Sequence, residues 1–157
     1  MGHTPRPARS DSDHNYTGAV GSWYTIGLCL GLGLGIGVAL VGILGSTMLG
    51  IGVGALLGVA AGAALGLAIG DTGEAVAGGI GGFLGALAAT AVVHGALRRG
   101  GTRLGIAAYV GVLGLLICLL ALIPVVGYIE AVAIPLLAAR MRGREAARFA
   151  GLRTLAK

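Results

Sequence analysis

One carboxylate in this chain is out of keeping with its neighbours. Glu130 lies in Pro124-Val-Val-Gly-Tyr-Ile-Glu130-Ala-Val-Ala-Ile-Pro135, and the next charge toward the C-terminus is Arg140, ten residues on. An ionisable group among apolar neighbours at membrane depth is costly, and by default it marks a proton or ion path. The flanking prolines free carbonyls beside it, and irregular backbone inside a membrane is tolerated where it lines a cavity or is packed by protein. The preferred structural alternative pairs Glu130 with Arg98, Arg99 or Arg103 to fasten the last helix, and a third sets it near an interface on a short re-entrant helix. His94 is the second candidate. It continues a row of small residues, Gly78, Gly82, Ala86 and Thr90, and stands one turn before Arg98. A proton relay from His94 to Glu130 is one chemistry open to it, and a histidine hydrogen-bonded near a helix end is the plainer one.

Other motifs are explained by local structure. Asp71-Thr72-Gly73 is similar to the aspartic-protease triplet, and Ile69-Gly70-Asp71 to the Gly-x-Gly-Asp element of intramembrane aspartyl proteases. Both require a second aspartate, no apolar segment holds one, and Ala68 stands where the intramembrane element needs glycine. Asp71-x-x-Glu74 reads instead as a capping box, each side chain satisfying a free backbone N–H at a helix start. Gly31-Leu-Gly-Leu-Gly-Ile-Gly37 lacks the spacing and the polar exit of a phosphate loop, so no nucleotide cofactor is expected. Cys29 and Cys118 sit alone in apolar segments as small packing residues. No metal-ligand spacing links the histidines, cysteines and carboxylates. Nucleophile, base and orienter nowhere converge, so no enzyme is expected.

The elements that must position Glu130 and His94 follow from composition. Of 157 residues 56% are apolar and 11% charged, with a mean hydropathy of +0.94, whereas a soluble domain carries roughly 25% charge. Charges cluster in the first 13 positions, at 71–74, at 98–103 and after 139, and the runs between them match the ~20 residues that cross a hydrocarbon core. The expected fold is all-α, a polytopic transmembrane helix bundle of four spans plus a fifth short or re-entrant helix. Residues 1–22 read as a disordered polar arm, and the spans as 24–44, 48–70, 75–97, 104–123 and, short or re-entrant, 124–140. Pro124 must break the last apolar run, because as one helix it would measure ~54 Å against a ~30 Å core. Residues 141–157 form a basic tail.

Glycines set the expected packing. Gly50, Gly54, Gly58, Gly62, Gly66 and Gly70 recur at every fourth position, and span one carries two rows, Gly27, Gly31 and Gly35, and Gly33 with Gly37. Between lipid tails helices associate through close backbone approach, which glycine permits. This is glycine-zipper packing. The row in span two winds around the helix, so its early and late glycines should face different neighbours, which makes span two the expected central helix. The rows serve either the chain's own bundle, the preferred reading, or a second copy or membrane-protein partner.

Charge places the chain. Six of the eleven basic residues lie in the final eighteen, Arg140, Arg142, Arg144, Arg148, Arg153 and Lys157. Basic clusters beside a span set topology or touch anionic headgroups. The tail is therefore expected to be cytoplasmic and to meet anionic lipid, and without interleaved aromatics it is not expected to bind nucleic acid. A four-span topology with both termini inside leaves eight Lys/Arg inside and three outside. Five spans with the N-terminus outside leave nine and two, which is the preferred arrangement. Ten arginines against one lysine, with 32 glycines, suggest a GC-rich bacterial genome and hence the inner (plasma) membrane.

Two resemblances rest on these residues. The Gly-x-Gly-x-Gly-x-Gly run at 31–37 and Glu130-Ala-Val-Ala-Ile-Pro135 resemble the glycine helix and carboxylate helix of rotary ATPase proteolipid subunits, which would imply that Glu130 carries an ion. In that family the two helices are consecutive, whereas here two spans intervene. The chain as a whole, with its tail Gly151-Leu-Arg-Thr-Leu-Ala-Lys157, resembles small uncharacterised actinobacterial polytopic membrane proteins, which implies location alone. Two functions are therefore expected: a non-enzymatic packing, assembly or envelope-associated protein, and, as the alternative, a small channel or ion-coupled transporter using Glu130.

Overall fold

The computed structural model describes the backbone of residues 13–123 and 125–150, and the side chains of 23–123 and 125–141. Five helices occur in it: α1 Asp13–Leu44, α2 Met48–Ile69, α3 Thr72–Arg98, α4 Arg103–Leu120 and α5 Val126–Ala150. The described residues contain no strand. Four helices are long and apolar enough to cross a membrane: Trp23–Leu44 of α1, α2, α3 and α4. The architecture is compatible with an integral membrane protein.

Several helix ends are explained by their sequence. The Thr47 hydroxyl accepts the Gly50 N–H at 3.0 Å and starts α2. The Thr102 hydroxyl accepts the Gly105 N–H at 3.2 Å and starts α4. The capping box at Asp71–Glu74 starts α3, as expected, with Glu74 Oε2 accepting the Asp71 N–H at 3.0 Å. α3 ends in a Schellman motif, in which the Gly101 N–H bonds the Ala96 carbonyl and the Gly100 N–H the Leu97 carbonyl, both at 3.1 Å. Gly100 supplies the left-handed turn residue this requires, at φ +80°. α4 stops at Leu120 and α5 starts at Val126, so the last apolar run is broken where expected, although Pro124 itself lies outside the described residues.

Two boundaries differ from expectation. α1 begins at Asp13, so residues 13–22, read as part of a disordered arm, are helical, and residues 1–12 lie outside the described residues. Once an apolar span nucleates a helix, extending it costs little per residue. α5 likewise runs past residue 140 to Ala150 with Pro135 inside it, and residues 151–157 lie outside the described residues. Proline has no N–H to return to the Ala131 carbonyl one turn earlier.

α1 and α3 form the hub, each touching all four other helices, whereas α2 touches only α1 and α3. The apolar windows of α1 and α3 are 56% buried and those of α2 and α4 17%. The expectation that span two is central is thus corrected: α2 lies at the periphery, with Met48, Leu49 and Leu56 largely exposed. Of its glycines, Gly54, Gly58, Gly62 and Gly66 are buried, and Gly52 is exposed. α1 offers glycines on two sides, and a helix that closes on two sides ends up in the middle. Leu34, Val38 and Val41 of α1 form a core with Ala86, Ala89 and Val93 of α3 and Val110 of α4.

Contacts between glycines and their neighbours fix the direction of each helix. α1 and α3 run parallel, with Gly33 against Gly78 and Gly37 against Gly82, while α2 and α4 run the other way. One end of the bundle therefore carries Trp23, Asp71, Glu74 and Leu122, and the other Ser46, Arg98, Arg99 and Arg103. α5 starts at the first, acidic end against Gly27, and its residues Ala138 and Met141 share a cavity with Arg99 and Thr102 at the second, basic end. It does not turn back.

Candidate functional site

α5 can bring a carboxylate into the bundle because its first turns meet α1 backbone to backbone. A Cβ on Gly127 would strike the Gly27 carbonyl, and a Cβ on Gly31 would stand 3.0 Å from the Gly127 Cα and 2.5 Å from the Ala121 Cβ. The Tyr128 ring covers Gly27, and its hydroxyl donates to the Trp23 carbonyl at 2.6 Å. The Trp23 and Tyr128 rings lie 6.5 Å apart, and the Tyr24 hydroxyl donates to the Leu122 carbonyl at 3.3 Å. Aromatic groups thus clamp the α4–α5 connection onto α1.

Glu130 follows inside this clamp. It is 7% exposed, and its Oε2 lies 3.3 Å from the point where a Cβ on Gly31 would stand. That oxygen is buried without a hydrogen-bond partner, the one such side-chain atom among the described residues. Gly31 is eight residues beyond Trp23, so the carboxylate lies ~12 Å into the bundle by helical rise. Cys118 of α4 packs on Gly35 one turn further along α1, and its thiol donates to the Leu32 carbonyl at 3.7 Å. The site is a junction of α1, α4 and α5 with one orphan acceptor.

The second buried carboxylate shows the contrast. Glu74 is 8% exposed, yet both of its oxygens are engaged: Oε1 accepts the Thr25 hydroxyl at 2.7 Å and Oε2 the Asp71 N–H at 3.0 Å. It ties the start of α3 to α1. Sequence reading found the cap and missed the tether, because Thr25 is 49 residues away and nothing in the pattern marks it.

The remaining candidates are not gathered at Glu130. Arg98, Arg99 and Arg103 stand at the basic end, whereas Glu130 is in the second turn of α5, near the acidic end, and the expected pairing is not formed. The reason is topological, since α5 begins at the end opposite the α3–α4 loop. His94 is half-buried. It lies twelve residues beyond Gly82, while Gly31 lies six before Gly37, which faces Gly82, so His94 and Glu130 are ~27 Å apart along the bundle. No direct relay joins them. Asp71 is exposed at the acidic end.

The glycine rows divide by neighbour. Along α2, Gly50 meets the Leu44 carbonyl, Gly54 meets Leu40 and Val41, Gly58 meets both Gly37 and Gly82, Gly62 meets Gly78, and Gly66 and Gly70 meet Glu74. The row thus passes from α1 to α3. In α1, Gly27, Gly31 and Gly35 face α5 and α4, and Gly33 and Gly37 face α3. Among the described residues no three His, Cys, Asp or Glu side chains gather to hold a metal, and Cys29 and Cys118 are free thiols. The chain matches no family model, no curated protein and no solved structure.

Proposed function

We propose that this chain is a multi-pass protein of a bacterial inner (plasma) membrane that binds a proton or a monovalent cation at Glu130 and passes it along the junction of α1, α4 and α5. One observation carries the reading: Glu130 Oε2 is buried at depth with no partner, while the fold satisfies both oxygens of Glu74. A buried polar atom left unpaired costs ~1–3 kcal/mol, and more when charged. A proton or a cation at that oxygen removes the penalty, and an exchangeable partner is what an ion path requires. Orientation follows from the positive-inside rule, with the basic end and the C-terminus cytoplasmic and the acidic end outside.

The glycines give less support to the assembly reading. Among the described residues, the rows at 27–35, 33–37 and 50–70 are occupied by the chain's own helices and loops, and the glycines with nothing within 4 Å, Gly52, Gly73, Gly100 and Gly111, form no row. A lipid-soluble carbodiimide, which couples to protonated carboxyls in apolar surroundings, tests the proposal. The expected result is modification of Glu130, with Glu74 spared, slowed by alkaline pH or by a cation the site binds. An unmodified Glu130 would contradict it.

A further inference from the structure

At the basic end α3, α4 and α5 enclose a cavity of ≈ 480 Å³, within the ~300–1,000 Å³ of ligand pockets. Its lining changes character with depth. Arg99 and Thr102 stand at the α3–α4 loop, level with the ends of two membrane-long helices, while Ala91, Val92, Ile106 and Val110 line the deeper part. Ala91 is eight residues before Arg99, so the apolar part extends ~12 Å inward by helical rise. Among the described residues that line the cavity none is acidic. Arg98, Arg103 and Arg140 are exposed at the same end.

We infer that this cavity holds an anionic phospholipid, its phosphate at Arg99 and the Thr102 hydroxyl and one acyl chain along α3 over Ala91 and Val92. A guanidinium presents paired N–H donors that fit phosphate oxygens, and basic pockets between membrane helices recognise anionic headgroups in this way. The Nε–H bond from Arg99 to the Gly95 carbonyl, at 3.1 Å, holds the side chain back along α3, over the cavity. A neutral amphiphile would gain nothing from four arginines at this end, and a small anion would leave the apolar depth unfilled. The site is separate from Glu130, which lies toward the other end.

The protein purified in neutral detergent tests this. From an equimolar mixture of phosphatidylglycerol and phosphatidylcholine with identical chains, native mass spectrometry should find phosphatidylglycerol retained by about fivefold or more. At saturation that lipid should raise the unfolding temperature by about 4 °C. Ala91→Leu and Ala96→Leu, which fill the apolar wall, should each abolish the shift measured against their own lipid-free baseline, and Arg99→Gln should erase the preference over phosphatidylcholine. Equal retention of the two lipids by the wild type would overturn the inference whatever the variants do. So would an equal shift from glycerol phosphate, which has the head without the chains.

Discussion

Gly31 and Glu130 meet across the α1–α5 contact, with Glu130 Oε2 3.3 Å from the place a Cβ on Gly31 would occupy. The absent side chain is what lets α5 lie close enough to bury the carboxylate. Gly31→Ala would press its methyl on Ala121 and on the Gly127 backbone as well. The expected loss is ~1–3 kcal/mol of stability, as for other overpacked contacts. Unfolding in a denaturing detergent series checks it, and the same variant should move Glu130 toward solvent and speed its reaction with a water-soluble carbodiimide.

The same substitution should have opposite signs at two glycines of α2. Gly52 has nothing within 4 Å, so Gly52→Ala should be neutral or gain up to ~1 kcal/mol of helix propensity. Gly62 lies against the Gly78 backbone, so Gly62→Ala should cost ~1–3 kcal/mol. Side-by-side thermal unfolding decides this, and equal effects would mean that α2 does not pack as described.

Thr25 and Glu74 carry the cross-helix bond from α1 to α3. Thr25→Val keeps the shape and removes the donor, and it should cost about 1 kcal/mol, in line with polar contacts between membrane helices. Ser at the same position should restore most of the loss.

How much of this was legible in the sequence depended on whether a signal was local. The spans, the capping box and the break near Pro124 could be read because run length, Asp71 with Glu74, and a proline each act within a turn or two. Glu130 stood out for the same reason. The central helix was misjudged because the longest glycine row drew attention to α2, whereas centrality depends on the number of faces that close, and α1 has two. The pairing of Glu130 with the arginines failed on direction: residues close in sequence order of loops lie at opposite ends once α5 starts from the acidic end. The Thr25 tether had no local mark at all.

The course of α5 predicts which positions share a side. In a background lacking Cys29 and Cys118, cysteines at Thr102 and Met141 should be protected together from an impermeant thiol reagent added outside, while one at Gly73 labels. Labelling at Thr102 would reverse the orientation, and labelling at only one of Thr102 and Met141 would contradict the traverse of α5.

Ion passage at Glu130 is measured as flux. Wild type and Glu130→Gln are reconstituted in vesicles at matched density, their folding compared by thermal unfolding, and proton and monovalent-cation flux is recorded under an imposed potential. Flux in the wild type should fall by about tenfold or more in the variant while the fold is retained. Equal flux in the two, or none in either, would contradict ion passage at Glu130.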